Sequence, residues 1–129
     1  MTSSGLAGRS ILIVEDEALI AHDLASAFES EGAVVTTTTT LRQALILVKL
    51  DGLSAVVLDH ALGDGDTQAL CTYLRDHGVP YVIFSEFGRD DVQEAEDVYV
   101  AKPSPVEVVV ALIKKLLGTV ATRGTGLLR

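Results

Sequence analysis

Residues 55–59 read AVVLD, an apolar run that ends directly in an acidic residue. The same arrangement recurs three times. Residues 11–16 (ILIVED) end in two carboxylates, residues 81–85 (YVIFS) end in a hydroxyl, and residues 98–102 (VYVAK) end in an amine. Short apolar runs of this kind are typical of strands buried on both faces of a parallel sheet. Because ligands bind in the crevice outside the carboxyl ends of such strands, the four polar ends are predicted to converge on one site.

The segments between these strands carry the apolar spacing of amphipathic helices. This spacing predicts helices over residues 17–30, 41–50 and 67–77, and the glycine-rich residues 63–66 are predicted to form a loop. Residues 34–40 include five consecutive threonines. Their β-branched side chains favour a strand over a helix.

The last helix is predicted from about Pro105 to Leu117, because Ser104 can cap it and Glu107 follows at capping-box spacing. Its apolar residues cover more of the helix than one core-facing stripe needs. Either the helix is deeply buried or part of it contacts a partner, and a homodimer through this face is one hypothesis. In contrast, residues 86–97 contain a glycine and six acidic residues, which predicts a short or irregular fourth helix.

Strand and helix therefore alternate five times, which predicts an α/β fold with a doubly wound, five-stranded parallel sheet. A chain of 129 residues suits a single domain. We expect a flexible N-terminal tail over residues 1–9, the domain over residues 10–117 and a C-terminal tail over residues 118–129.

Composition argues against several kinds of partner. The formal net charge is −8, from 10 basic and 18 acidic residues, which disfavours binding to nucleic acid or to anionic membranes. The single cysteine, Cys71, cannot form an internal disulfide. The N-terminus lacks the apolar stretch of a signal peptide, and no segment approaches a membrane-spanning length, so a cytoplasmic location is predicted.

The predicted site contains groups suited to phosphoryl chemistry. Glu15, Asp16 and Asp59 would place three carboxylates in one pocket, where their repulsion favours a bound cation, and Mg²⁺ prefers such oxygen ligands. Asp59 could attack phosphorus to form an acyl phosphate. Lys102 would add a positive charge, and Ser85 could donate a hydrogen bond to the phosphoryl oxygens. Taken singly, each of these residues could instead be an ordinary surface or turn residue.

Taken together, the acidic pair, the strand-terminal Asp59 and Ser85, and the Lys102-Pro103 dipeptide resemble the receiver domain of two-component response regulators. The resemblance covers about residues 10–117 and implies a flavodoxin-like (βα)5 fold. It implies a phosphorylation-dependent switch that receives its phosphoryl group on Asp59 from a histidine kinase or phosphotransfer protein. Such a domain is a phosphoacceptor and not a classical enzyme, limited to self-phosphorylation from phosphohistidine and slow autodephosphorylation.

The resemblance also implies roles for individual residues. Mg²⁺ would be held by Glu15, Asp16, Asp59 and the main-chain carbonyl of Ala61. Lys102 would contact the phosphoryl group, and the peptide that joins it to Pro103 would be cis. Ser85 and Tyr99 would form the switch that reports phosphorylation to a downstream protein partner.

Two features depart from the family pattern and leave alternatives open. Residues 62–65 (LGDG) replace a loop that usually carries proline, which predicts more flexibility there. Glu86 stands where a small residue is usual, so a pseudo-receiver that binds partners without phosphorylation is the main alternative. A phosphatase with a strand-terminal aspartate is a weaker one, because its second aspartate is here Ala61. We expect a stand-alone receiver without an output domain, although a fragment of a larger regulator or hybrid kinase fits the sequence too.

Overall fold

The computed structural model describes residues 5–86 and 98–127, and these form one parallel sheet with helices on both of its faces. In chain order the elements are β1 (Ser10–Val14), α1 (Ala18–Glu29), β2 (Val34–Thr38), α2 (Leu41–Leu47), β3 (Leu53–Leu58), β4 (Ala61–Leu62), β5 (Gly65–Asp66), α3 (Gln68–Asp76), β6 (Tyr81–Ser85), β7 (Val98–Ala101) and α4 (Val106–Leu127).

The main sheet has five strands in the order β2-β1-β3-β6-β7, and all neighbouring strands are parallel. The predicted doubly wound, flavodoxin-like sheet is therefore confirmed. The order reverses beside β1, which starts the chain but lies inside the sheet. Because ligands bind at such a reversal, outside the carboxyl ends of the strands, the topology places the site next to β1 and β3.

The core lies in two layers because successive side chains of a strand point to opposite faces of the sheet. Ile11 and Ile13 of β1 pack with α1 and α4 on one face. Leu12 and Val14 of the same strand pack with α2 and α3 on the other. A strand covered on both faces needs apolar residues at every position, which is why the run ILIV is uninterrupted.

The N-terminal segment corrects the predicted flexible tail over the part of it that is described, residues 5–9. The side chain of Leu6 is buried, and its N–H donates a hydrogen bond to the carbonyl of Glu31 at 2.9 Å. Gly32 (φ +92°) lies against this segment, where a Cβ would come within 3.0 Å of the Cα of Ala7. Only glycine fits both this backbone conformation and this close approach.

Helix ends also differ from the predictions. Helix α2 ends at Leu47 and not at residue 50, and α4 continues past the predicted end at Leu117 to Leu127. The predicted cap of α4 is wrong as well, because the Ser104 hydroxyl instead donates to the carbonyl of Ala101 at 2.6 Å. The predicted short or irregular fourth helix falls on residues 87–97, which lie outside the described part of the chain.

The loop predicted over residues 63–66 contains part of a small ladder, in which β4 and β5 pair antiparallel. Asp64 at its tip accepts hydrogen bonds from the N–H groups of Leu41 and Arg42, at 2.8 and 3.0 Å. These N–H groups belong to the first turn of α2, where main-chain N–H groups have no acceptor within the helix. These two hydrogen bonds connect the loop after Asp59 to a neighbouring helix.

In the described residues, no helix combines the length and apolar character needed to cross a membrane.

Candidate functional site

The carboxyl ends of β1, β3, β6 and β7 bring four of the predicted residues to one edge of the sheet. Each is fixed by the main-chain hydrogen bonds of the sheet. The N–H of Glu15 donates to Thr38 at 2.9 Å, that of Asp59 to Val14 at 3.0 Å, and that of Lys102 to Ser85 at 2.9 Å. Neighbouring strands therefore hold the ends in register, so their side chains start from fixed positions.

An ion-pair network joins these side chains. The Nζ of Lys102 lies 2.8 Å from Oε1 of Glu15 and 2.9 Å from Oδ2 of Asp59. It lies 3.5 Å from Oε1 of Glu17. The side chains of Lys102, Glu15 and Asp59 are all at most 6% exposed, so these charges are withdrawn from water and depend on one another.

Burial changes the acid–base behaviour of two groups. It raises the pKa of Glu15 to about 7, because the charged form loses hydration, although hydrogen bonds from Lys102 and from the N–H of Glu17 act in the opposite direction. Burial by itself would lower the pKa of Lys102. Its hydrogen bonds to Glu15 and Asp59 outweigh that effect and raise the pKa above its ordinary value, so Lys102 stays charged.

Three carboxylates could hold a cation together, and they are not the three predicted. Oxygen atoms of Glu15, Glu17 and Asp59 all lie within 4.8 Å of one another, whereas Asp16 is exposed and lies outside this group. Sequence reasoning took Glu15 and Asp16 as the acidic pair and missed Glu17, although the acidic run at residues 15–17 contains it. The oxygen ligands fit a hard divalent cation, and the Lys102 ammonium shows that positive charge is accommodated among them.

Ser85 and Tyr99 occupy neighbouring strands. Ser85 is completely buried at the end of β6, and the half-buried Tyr99 in β7 donates its hydroxyl hydrogen to the Ser85 carbonyl at 3.1 Å. In the register of the two strands, Ser85 pairs with Ala101, the residue before Lys102. The predicted switch residues are thus connected to each other and to the strand that carries the lysine.

The remaining predicted positions lie around this edge. The peptide between Lys102 and Pro103 is cis, as the resemblance implies. Ala61 lies in β4, two residues after Asp59. Glu86, the main motive for the pseudo-receiver alternative, is exposed at the end of β6.

Comparisons with known proteins agree with this fold. The family model of the response regulator receiver domain matches residues 11–114, so the chain belongs to this family. Receiver domains are in general signalling phosphoacceptors of two-component systems and not classical enzymes. They interact with histidine kinases or phosphotransfer proteins. Neither the pseudo-receiver nor the phosphatase alternative is favoured by this membership.

Solved structures show the same fold. A CheY-like receiver domain protein from Methanospirillum hungatei JF-1 has a TM-score of 0.79 at 20% identity, with 89% of this chain and 98% of that chain covered. A receiver protein from Sinorhizobium medicae WSM419 has a TM-score of 0.78 at 21% identity, with 86% and 95% covered. The receiver domain of a signal transduction histidine kinase from Syntrophus aciditrophicus has a TM-score of 0.75 at 25% identity, with 87% and 92% covered. No curated protein matches the chain.

Proposed function

We propose that Asp59 accepts a phosphoryl group from the phosphohistidine of a histidine kinase or phosphotransfer protein, in a reaction that depends on Mg²⁺. The observation that carries this proposal is the buried ion pair between Asp59 and Lys102, 2.9 Å apart, in a domain of the response regulator receiver family. A carboxylate oxygen of Asp59 attacks phosphorus, the bond from phosphorus to the donor imidazole breaks, and an aspartyl phosphate forms.

The other charged residues balance this reaction. Lys102 remains protonated and offers its positive charge to the oxygens of the transferred group, so its ion pair with Asp59 changes as the carboxylate becomes an acyl phosphate. Glu15 and Asp59 would hold the Mg²⁺ ion, and the resemblance adds the carbonyl of Ala61 and the carboxylate of Asp16. When bound, Mg²⁺ neutralises charge on the transferring oxygens.

Ser85 and Tyr99 would transmit the modification. The phosphoryl oxygens attract hydrogen-bond donors, and the Ser85 hydroxyl at the end of β6 is the donor that the resemblance assigns to them. Tyr99 holds the main-chain carbonyl of Ser85, so a displacement of Ser85 changes the hydrogen bond that positions Tyr99. A downstream protein partner would then distinguish the two positions of this tyrosine.

Homodimerisation through α4 is a separate proposal about partners. Between residues 106 and 117, four of the eight Val, Ile and Leu residues of this helix are buried in the core, namely Val109, Val110, Ile113 and Leu117. However, Val108 is 42% exposed and stands in line with the half-buried Leu112 and Leu116 at four-residue spacing, which gives a partly exposed apolar stripe. Analytical ultracentrifugation tests the dimer, and the mass of a monomer over a wide concentration range would refute it.

The cytoplasmic location likewise stays a prediction.

Intact-mass spectrometry after incubation with acetyl phosphate, with and without Mg²⁺, tests the phosphoacceptor proposal. The wild-type chain should gain one phosphoryl group when Mg²⁺ is present, and Asp59→Asn should gain none. Asp51→Asn is the matched control, because it removes an exposed carboxylate at the start of the same βα unit. An unmodified wild type, or an Asp59→Asn variant that is labelled as well as the wild type, would refute the proposal.

A further inference from the structure

Strand β2 forms one edge of the main sheet. It lies at the end of the strand order, and in the described part of the chain its only neighbouring strand is β1. The N–H of Val34 and the carbonyl oxygen of Thr38 make hydrogen bonds of 2.8 and 2.9 Å to the main chain at the two ends of β1. Main-chain groups alternate in direction along a strand, so the N–H and C=O groups of Val35 and Thr37 point away from the sheet.

This edge lacks the features that commonly protect an edge strand from pairing with another chain. Residues 33–40 (AVVTTTTT) contain no charged residue and no proline. The ladder with β1 keeps its register over all of β2, without a bulge. Within the described structure, the side chains of Val34, Thr36 and Thr37 are exposed, so the strand is not covered either. Its outward main-chain groups are therefore open to a further strand.

Apolar side chains are exposed beside the same edge. Among the described residues, five large hydrophobic side chains are exposed, and three of these are Val34 in β2, Ile46 in α2 and Leu50 just after α2. A groove with a volume of about 110 Å³ joins the strand to this helix end, and its lining includes Leu12, Thr36 and Leu50. Exposed apolar side chains that are grouped in this way are typical of contact sites between proteins.

A second copy of β2 fits this edge by symmetry. In an antiparallel pair centred on Thr36, Val35 of each copy lies opposite Thr37 of the other copy. Both residues of such a pair point their N–H and C=O groups outward, so each pair exchanges two N–H···O bonds. Thr36 then lies opposite Thr36 of the second copy, and threonines that face each other across two strands interact favourably.

The distribution of charge also favours a second copy in the antiparallel orientation. The net charge of −8 opposes contact between copies in general, but residues 32–41, which include β2, carry no charge. Glu29 and Glu31 precede this segment, and the exposed Arg42 follows it. Glu31 already pairs with Lys114, whereas Glu29 is exposed. Antiparallel pairing brings the Arg42 end of each copy towards the acidic end of the other, which is electrostatically favourable.

We propose that this chain forms a symmetric dimer in which β2 pairs with β2 of a second copy to give a continuous ten-stranded sheet. The two-fold axis is perpendicular to the sheet, so α2 of both copies lies on the same side of it. The exposed side chains of Val34, Ile46 and Leu50 are then covered close to the axis. Such an interface uses the same surface of both copies, so the assembly closes as a dimer. It does not involve α4, which packs on the opposite face of the sheet.

Sedimentation equilibrium of the whole chain over a wide range of concentrations tests the proposal. The wild type should form a reversible dimer and no larger species. Thr36→Lys places two ammonium groups opposite each other at the axis and should raise the dissociation constant by about tenfold or more. Thr72→Lys is the matched control, because it makes the same change at an exposed threonine of α3, and it should dimerise like the wild type. Circular dichroism checks that each variant is folded.

Three outcomes of this experiment would overturn the proposal. A wild type that remains a monomer at every concentration would leave the edge to an extended segment of a different protein. Species larger than a dimer would show open-ended association and not a closed pair. Dimerisation of Thr36→Lys with the affinity of the wild type would show that β2 is not at the interface.

A cysteine at the axis gives a second test that does not depend on weakening the dimer. In the proposed pair the two Thr36 Cα atoms are about 4.5 Å apart, a distance that a disulfide can span. Thr36→Cys should therefore form a covalent dimer under mild oxidation, and Val108→Cys, at an exposed position of α4, should form several-fold less. The native Cys71 is buried, and the wild type controls for it. Equal cross-linking of the two variants, or preferential cross-linking of Val108→Cys, would overturn the proposal.

Discussion

The hydroxyl of Tyr99 lies 3.1 Å from the carbonyl oxygen of Ser85, so the two residues of the proposed switch are joined by a hydrogen bond in the structure described here. They belong to neighbouring parallel strands, β7 and β6. The bond acts on the main chain of Ser85. A change at Tyr99 therefore affects the position of the strand end, without altering the Ser85 hydroxyl chemically.

Tyr99→Phe should destabilise the domain while leaving Asp59 able to accept phosphate. Loss of the hydroxyl removes one half-buried hydrogen bond and leaves the Ser85 carbonyl without this donor, which should lower the free energy of unfolding by about 1 kcal/mol. Urea denaturation measures the effect. Tyr73→Phe, which removes the hydroxyl of another half-buried tyrosine, on α3, is the control. Equal stability of Tyr99→Phe and the wild type would argue against this hydrogen bond.

Lys102→Ala should be much more destabilising than the loss of a surface lysine. Removing the ammonium leaves the buried Glu15 and Asp59 without their shared cation, and breaking a buried pair in this way costs about 3–5 kcal/mol. Lys114 pairs with Glu31 at a similar distance, 2.8 Å, but its side chain is 40% exposed. Lys114→Ala should therefore cost no more than about 1 kcal/mol. Urea denaturation of both variants in EDTA provides the comparison, and equal losses would contradict the prediction.

The stability of the wild type relative to Glu15→Gln should depend on pH. The pKa of Glu15 is raised from 4.5 to about 7 in the folded chain, mainly by burial, so between these values the folded state holds a proton that the unfolded state has released. The contribution of Glu15 to stability is thus fully present below pH 4.5. It is lost as the pH rises towards 7.

Urea denaturation of both chains in EDTA, across this pH range, checks that prediction. The difference in the free energy of unfolding, wild type minus Glu15→Gln, should fall as the pH rises and level off above about 7. Glu15→Gln cannot ionise at this position, so it provides the baseline. A difference that increases with pH would show that Glu15 is stabilised in its charged form.

Asp64→Asn should weaken the hydrogen bonds that connect the loop after Asp59 to the start of α2. The hydrogen bonds from the N–H groups of Leu41 and Arg42 lower the pKa of Asp64 below its ordinary value of 3.8, because they favour the charged form. Its stabilising effect is therefore present above pH 3.8 and is lost as the pH falls through the lower folded-state pKa. At neutral pH, the melting temperature of Asp64→Asn should be lower than that of the wild type.

The exposed Asp51 offers the control for this experiment, since Asp51→Asn also removes one surface carboxylate. Thermal denaturation followed by circular dichroism at neutral pH compares the three chains. Hydrogen exchange at the first turn of α2 should accelerate in Asp64→Asn alone. Unchanged exchange there would show that the loop is not anchored through this carboxylate.

The order of elements and the edge of the sheet that carries the site could be predicted from the sequence alone. An uninterrupted run such as ILIV is typical of a strand that is buried on both faces of a parallel sheet, and the residue that follows such a strand lies at its carboxyl edge. The positions of Glu15, Asp59, Ser85 and Lys102 follow from this rule. The helix ends could not be derived in the same way, nor could the packing of residues 5–9 against the domain. Both depend on tertiary contacts such as the hydrogen bond between Leu6 and Glu31.

The sequence by itself determined which chemical groups meet at one edge of the sheet. The alternation of strands and helices along the chain predicts a parallel sheet, and the residue that ends each strand supplies the chemical group. Only the tertiary structure decided which neighbouring acid joins them. Asp16 and Glu17 are equivalent as carboxylates in the sequence, but the extended backbone at Glu17 directs its side chain towards Lys102 and leaves Asp16 in solvent. That choice depends on local backbone angles and on a hydrogen bond to Glu15, neither of which residue identity specifies.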